Sequence, residues 1–402
     1  MDYVIIAGAS IDNLGAESMT CIAIKIAEKL VPNAKIILAS TDKAGMQKKV
    51  KYKVCLYRFP NLLECHKNNL IGNILCETLN APDDEYYRYI LPNTKYILDI
   101  SGYSFTSKFG INNIYEYLNR VYIAKCYKIK MLILPQSFGP LDFTGIKEHM
   151  IMDFLIHHIM QYPQIIFARE KTGYRCMRQY VKRNLKYCPD LVLTWKSEID
   201  YSVLRRDIAW KQKNVIFDTV SGKRKVAIIP NQKIMEKTLY GNKYIQILKD
   251  TIVALEEKNV QVYIVIHCGL DKEICDALCH ITRKFVITID CTEYGATMYD
   301  QIIDKFDFVI ASRYHAIVHA YRHMIPAVAL GWADKYNELL ETLDQTQFLL
   351  DCREGLEREN VLKVVETMLK DYRTAKEKLT QNMKELWDKY CLLYTSPSPR
   401  DA

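Results

Sequence analysis

The sequence contains no apolar run approaching the roughly 18 residues that a bilayer-spanning helix needs. Glycine and proline are scarce, 15 and 12 in 402 residues, which excludes collagen-like and linker-like chains. An apolar content of 49% excludes intrinsic disorder. The 13 cysteines are scattered and form no Cys-x-x-Cys pair, so a secreted disulfide framework is not expected. Cys275 and Cys279 lie one turn apart on an expected helix, but no second ligand pair follows them. The dinucleotide fingerprint GxGxxG, the Walker A loop and the HExxH motif are all missing. Lys and Arg outnumber Asp and Glu by 55 to 47, a net charge of +8, yet no block of five basic residues occurs. Without an aromatic-basic motif, nucleic acid is not an expected partner. The opening Met1-Asp2-Tyr3-Val4-Ile5-Ile6 reads as a strand rather than a secretory leader. Scattered, reduced cysteines then favour a cytoplasmic protein.

What is present is a regular alternation of short apolar runs with helix-period segments. The expected strands are Val4–Ala7, Lys35–Ala39, Tyr96–Ile100, Lys130–Leu134 and Gln164–Ala168. Between them lie expected helices Leu14–Leu30, Leu62–Leu79, Ile114–Tyr127, Lys147–Met160 and Lys171–Lys182. The pattern weakens from about Asp190 to Arg224, then restarts at Val226–Ile229 and continues to about Leu343. Such alternation predicts parallel sheets covered by helices. The fold class is therefore α/β, with two Rossmann-like doubly wound domains facing a cleft and a C-terminal closing helix. The boundaries read as residues 1–195, a linker at 196–224, a second domain at 225–350 and a helix at 351–390. Residues 391–402 carry Ser-Pro-Ser-Pro, which cannot continue a helix. They resemble translated adapter sequence, with a disordered native tail as the alternative, and no function is read from them.

Ligands of open α/β sheets bind beyond the carboxyl ends of the strands, so polar residues at those ends are the candidates. After the first strand comes a polar loop with Asn13, Gly15 and Glu17 running into a helix, able to hold an anion or simply to turn and cap. Later strands are followed by Ser101-Gly102, by Gln136 with Gly139-Pro140, and by Arg169-Glu170. Arg169 can fork onto a phosphate or carboxylate, or pair with Glu170. In the second half, Asn231 and His267 follow strands, and Ser312-Arg313-Tyr314-His315 opens a helix. Arg313 suits an oxyanion, and His315 suits proton exchange near neutral pH. His315, His319 and His323 share one helical face, but with no carboxylate partner apparent a metal is not expected.

These residues, taken in order, resemble the polysaccharide pyruvyl transferase family. The similar elements are Asn13-x-Gly15-Ala16-Glu17, Gln136-x-x-Gly139-Pro140, Ala168-Arg169-Glu170, Pro189-Asp190 and Ser312-Arg313-x-His315-Ala316, with Pro326 and Lys335 beyond. One departure is that only Gly102 remains of the glycine-rich turn expected after Asp99, which implies a divergent acceptor. The resemblance implies a GT-B-like transferase of exopolysaccharide biosynthesis, acting between its two domains. It implies transfer of the pyruvyl group of phosphoenolpyruvate to a sugar of a cell-surface polysaccharide, or of its lipid-linked precursor, as a ketal. No metal or organic cofactor is implied. On this reading His315 and Arg313 are catalytic, and Arg169, Arg313, Ser312, Asn231, His267 and Lys335 bind the donor. Asn13, Gly15, Glu17, Ser101, Gly102 and Gln136 lie on the acceptor side of the cleft. A lipid-linked acceptor would bring the protein into peripheral contact with the inner membrane face. The alternatives are a GT-B glycosyltransferase using a nucleotide sugar and a non-catalytic glycan-binding protein.

Overall fold

The computed structural model describes residues 1–56, 89–206, 222–237, 241–279, 286–353 and 355–390. The expected helix Leu62–Leu79, residues 207–221 of the expected linker and the tail 391–402 lie outside these. So do residues 280–285, within the alternating pattern of the second domain.

Two wholly parallel sheets organise the chain. The first contains β1 (Tyr3–Ala7), β2 (Lys35–Ser40), β3 (Lys53–Leu56), β4 (Thr94–Asp99), β5 (Lys130–Gln136), β6 (Ile165–Ala168) and β7 (Leu185–Tyr187). Their spatial order is β3-β2-β1-β4-β5-β6-β7. The second contains β8 (Lys225–Ile229), β9 (Gln261–Ile266), β10 (Ile287–Asp290), β11 (Phe308–Ala311), β12 (Ala327–Gly331) and β13 (Leu349–Asp351), in the order β10-β9-β8-β11-β12-β13. The central strands are buried on both faces, so they read as unbroken apolar runs, as in Phe308–Ala311. The edge strands β3, β7 and β13 are short and partly polar, and the sequence pattern missed all three.

The helices of the first domain are α1 (Leu14–Leu30), α2 (Lys43–Lys49), α3 (Ile111–Cys126), α4 (Ile146–Ile159), α5 (Lys171–Arg178) and α6 (Leu191–Thr194). Those of the second are α7 (Gln232–Lys237), α8 (Gly241–Glu257), α9 (Lys272–Cys279), α10 (Ala296–Ile302), α11 (Tyr314–Arg322) and α12 (Asp334–Thr342). The closing helix α13 (Arg358–Tyr390) is 33 residues, about 50 Å at 1.5 Å per residue. Its first half packs Val361, Val365 and Met368 onto the second domain. Its second half carries Leu379, Met383 and Leu386 into a cluster shared with the first domain, where Trp387 Nε1 donates to the Leu193 carbonyl at 2.9 Å.

Helix α1 shows how the domains meet. Asn13 caps it, accepting from the Ala16 N–H at 2.9 Å. Its apolar face, with Leu14 and Ile22, lies in the core, while Glu17 and Ser18 are also fully buried because other elements cover the polar face. The Glu17 carboxylate receives Nε and Nη2 of Arg205 and the Ala296 N–H of α10 at 3.1 Å. Ser18 Oγ meets His319 Nε2 and the Tyr201 hydroxyl, each at 3.1 Å. Breaking a buried pair costs more than its net worth, because one charge stays behind without compensation. Glu17→Ala is expected to lower the unfolding free energy by about 3–5 kcal/mol, read from a denaturant titration. A loss below about 1 kcal/mol would show that the junction does not depend on this contact.

Candidate active site

Both sheets reverse strand order at one place, between β1 and β4 in the first domain and between β8 and β11 in the second. Crevices open at such points. Nearly all the residues expected from sequence sit there or just beyond neighbouring strands.

On the first-domain side, Gly8 has φ +81°, and a Cβ at this position would meet the Ser101 backbone at 2.7 Å. Only glycine lets the two loops approach so closely. Below them, Asp99 pairs with the buried Arg120, whose Nη1 also donates to Ser101 Oγ at 2.9 Å. Gln136 donates to the Tyr117 hydroxyl at 2.7 Å and is fully buried. Ser101 and Gln136 therefore join a polar cluster beneath the cleft floor, while Gly102, at φ +69°, shapes the loop above it. Arg169 Nε donates to Ser137 Oγ at 2.9 Å and to Glu170 Oε1 at 2.7 Å, and Nη1 donates to Asp190 Oδ2 at 3.1 Å. The helix that follows Arg169-Glu170 is capped from across the cleft. Glu338 of α12 accepts from the Lys171 N–H, the Thr172 N–H at 3.0 Å and the Thr172 hydroxyl at 2.5 Å.

On the second-domain side, Ser312 and Asn231 hold the loop that carries Arg313. The Ser312 carbonyl accepts from Asn231 Nδ2 at 3.0 Å and from the Tyr336 hydroxyl at 2.7 Å, and Ser312 Oγ bonds the Tyr244 hydroxyl at 2.6 Å. Arg313 forks onto the buried Asp271 through Nε, at 2.7 Å, and Nη2. Asp271 is fixed in turn by the Gln232 N–H at 2.9 Å. His267 is buried, its ring nitrogens make no hydrogen bond among the described residues, and burial pushes its pKa well down.

The two sides converge on three residues. His315 Nε2 lies 3.6 Å from Asp190 Oδ2, and the ring packs so closely on Gly15 that any Cβ there would overlap it. Burial lowers the His315 pKa against the Asp190 carboxylate, which raises it, and Arg169 and Lys335 push it down further. The imidazole is therefore neutral at pH 7. Burial would raise the Asp190 carboxyl, but His315 and Arg169 together hold it well below the usual range. Tyr314 lies between two cations, with the Arg169 guanidinium 4.8 Å from its ring centroid and the Lys335 ammonium 5.0 Å from it. Lys335 also sits 5.3 Å from the Trp332 ring and 5.7 Å from that of Tyr336, with no ion pair among the described residues. Burial pushes its pKa down to about 7, with Arg169 next in effect.

Several expected roles change. Both oxygens of Glu17 are committed to Arg205 and α10, so Glu17 joins the domains instead of facing an acceptor. Asn13 spends its side-chain oxygen on the helix cap, and Ser312 and Asn231 act as scaffold. Arg169 and Arg313 are both countered by buried carboxylates in direct contact, whereas Lys335 makes no ion pair among the described residues and feels Glu170 and Asp190 only at longer range. The histidine stripe has a carboxylate after all. Asp300 accepts from His319 Nδ1 at 2.6 Å and lies 3.2 Å from His323 Nε2. Tyr201 and Arg322 share that carboxylate, and no group of three metal ligands forms among the described residues. Sequence reading gave Tyr314 no role, and it placed Asp271 near His267 without its pairing to Arg313. The aromatic residue inside Ser-Arg-x-His was the available signal for Tyr314.

A family model described as polysaccharide pyruvyl transferase matches residues 13–334. No curated protein matches the sequence. Among solved structures, the UDP-GlcNAc 2-epimerase of Neisseria meningitidis bound to UDP-GlcNAc aligns with a TM-score of 0.57 at 12% identity, covering 98% of this chain and 99% of that one. The corresponding enzyme of Methanocaldococcus jannaschii gives 0.55 at 14% identity over 92% and 93%. S. aureus MnaA in complex with UDP gives 0.55 at 12% identity over 97% and 92%. At these identities the likeness is one of fold, two facing Rossmann-like domains of GT-B type.

Because Asp190 raises the His315 pKa, Asp190→Asn is expected to lower it further. An NMR titration of the imidazole reads this directly, and a pKa that rises in the variant contradicts the arrangement.

Proposed function

The chain belongs to the polysaccharide pyruvyl transferase family, and we propose that it transfers the pyruvyl group of phosphoenolpyruvate to a sugar of a cell-surface polysaccharide or its lipid-linked precursor. The product is a pyruvate ketal, and phosphate is released. The observation that carries this reading is Lys335, which makes no ion pair among the described residues and is caged by aromatic rings beside a neutral His315. A small anionic donor supplies the missing charge. Arg169 and Arg313, held rigid by their carboxylates, would line its site without reorganising.

In this mechanism a proton from solvent adds to the methylene carbon of the donor, and the carbon bearing the phosphate becomes oxocarbenium-like. A sugar hydroxyl attacks that carbon and loses its proton to His315, which is neutral and able to accept it. The imidazolium passes that proton to the departing phosphate as the C–O bond breaks, and the regenerated neutral His315 accepts the proton of a second hydroxyl, which closes the ketal. Asp190 stabilises the imidazolium formed in the first step.

The test is a thermal-shift comparison of phosphoenolpyruvate with uridine and guanosine diphosphate sugars. Phosphoenolpyruvate is expected to stabilise the wild type and to lose most of that effect with Lys335→Met. With a Lys335 pKa of about 7, raising the pH through 7 removes the ammonium charge, so donor affinity is expected to fall toward tenfold per pH unit. Stabilisation by a nucleotide sugar alone would favour a glycosyltransferase. His315→Ala is expected to lower turnover by about 10²–10⁴-fold while leaving the fold intact. Mass spectrometry of phosphoenolpyruvate mixed with candidate glycans reads that turnover, and near-normal product from the variant removes His315 from the mechanism.

A further inference from the structure

Helix α4 departs from the pattern of a helix laid on a sheet. Its inner face is ordinary, with Met152, Leu155, Ile156 and Ile159 buried in the core beneath it. The outer face is where such a helix carries polar side chains. Here it carries Ile146 and Met150, 84% and 66% exposed, with Ile151 and Phe154 each more than a third exposed. Ile146, Met150 and Phe154 recur every four residues, a stripe about 12 Å long at 1.5 Å per residue. The stripe starts at the rim of the cleft, because α4 follows the loop at the carboxyl end of β5. Another exposed ring, Phe109, belongs to the same rim. It rests edge-on against Tyr103 at 5.3 Å, and the Tyr103 hydroxyl donates to the Gly139 carbonyl at 3.1 Å in the loop before α4.

The neighbouring helix supplies charge. α5 lies beside α4 over the same face of the sheet, where His157 meets the Tyr180 ring at 5.0 Å and Gln161 donates to the Tyr180 carbonyl at 2.7 Å. Residues 171–183 hold five Lys and Arg and no Asp or Glu. Lys171 faces Glu341 at 3.8 Å. Arg175, Arg178, Lys182 and Arg183 are exposed and make no ion pair among the described residues. Lys147 on α4 is a fifth such cation. Against these five stand three acids on the α4 side, Asp142, Glu148 and Asp153, the last of them 3.6 Å from His157. An apolar stripe gains by leaving water, and unpaired Lys and Arg gain by meeting anions. A bilayer with anionic headgroups offers both, acyl chains for the stripe and phosphates for the cations. A second copy of this chain would instead bring the same positive run to both sides of the contact.

We propose that the outer faces of α4 and α5 form a docking surface for an anionic lipid bilayer, with Ile146, Met150 and Phe154 entering the headgroup layer. No helix of the described residues is long and apolar enough to cross a membrane, and α4 has 14 residues, so it lies along the interface. The docking surface goes beyond pyruvyl transfer and stands on these two helices alone. One consequence rests on the reading above: where the acceptor is lipid-linked, docking sets the rim of the cleft against the leaflet that carries it.

The experiment is co-sedimentation of the full chain with vesicles of phosphatidylcholine, either alone or mixed equally with phosphatidylglycerol. No donor or acceptor is present, so docking can fail while pyruvyl transfer stands, and the reverse. The wild type is expected to sediment with the mixed vesicles and about fivefold less with phosphatidylcholine alone. Met150→Glu with Phe154→Glu, and separately Arg175→Glu with Lys182→Glu, are each expected to cut binding to the mixed vesicles about tenfold. Val253→Glu replaces an exposed apolar side chain of α8 and is expected to leave binding unchanged. Arg175 and Lys182 are exposed, so that pair keeps the test decisive even where the α4 variant perturbs packing. The proposal is overturned by no sedimentation with mixed vesicles, by equal binding to phosphatidylcholine alone, by binding that survives either double variant, or by an equal loss with Val253→Glu. It is also overturned if light scattering finds a dimer that Met150→Glu with Phe154→Glu dissociates, which assigns the face to a second copy.

Discussion

One carboxylate organises the cleft. Asp190 is buried, with its Oδ1 committed to the Val192 N–H as the cap of α6. Its other oxygen faces Arg169 of the first domain and His315 of the second. It thus orients a guanidinium and an imidazole at once, and it can do so only while the domains are together. An acid in this position is expensive to bury, and its depressed pKa shows that the two cationic or protonatable partners repay the desolvation. The site is therefore a property of the closed junction, and neither domain carries it alone.

The same device recurs along the junction. Glu17 of α1 reaches Arg205 and the N-terminus of α10, and Glu338 of α12 caps α5. Asp300 of α10 gathers Tyr201, His319, Arg322 and His323. Glu17 and Glu338 each satisfy a helix end across the seam, and Asp300 reaches across it to the Tyr201 hydroxyl. Apolar contact around Leu14, Leu193, Tyr299 and Val318 supplies non-directional adhesion. The carboxylates supply register, because a small slip would leave a charge buried and unpaired.

Much of this was legible in the sequence, and what was not has physical reasons. Central strands announced themselves as apolar runs, and α1 was bounded correctly at Leu14 and Leu30 because its cap and its pattern agree. The Ser-Arg-x-His motif pointed to the right loop. What one chain in one dimension hides is who pairs with whom. Asp271 and Arg313 are 42 positions apart, and Glu17 and Arg205 are 188 apart. Nothing local distinguishes a cation that greets a ligand from one already answered by a distant acid. That is why Arg169 and Arg313 drew the attention that Lys335 merits, and why Glu17 read as a site residue when it is a fastener.

The charge balance of the cleft sharpens the point. Arg169, Arg313 and Lys335 stand against Glu170, Asp190 and Asp271, so with a neutral His315 these six groups carry no net charge when Lys335 is protonated and one negative charge when it is not. Electrostatic attraction for an anion therefore cannot come from the overall +8 of the chain or from a basic patch. It comes from how the charges are arranged. The arginines are locked to acids on one side, so their positions are set before any ligand arrives and no reorganisation is needed at the moment of reaction. Lys335 has aromatic faces in place of an acid, so its ammonium is desolvated without being neutralised. A charge in that state interacts strongly with whatever anion comes close. It also sits near its own pKa at neutral pH, so the strength of that interaction is set by pH within the physiological range. The cleft thus separates two tasks that a free arginine would combine, with fixed geometry from the paired cations and binding charge from the unpaired one.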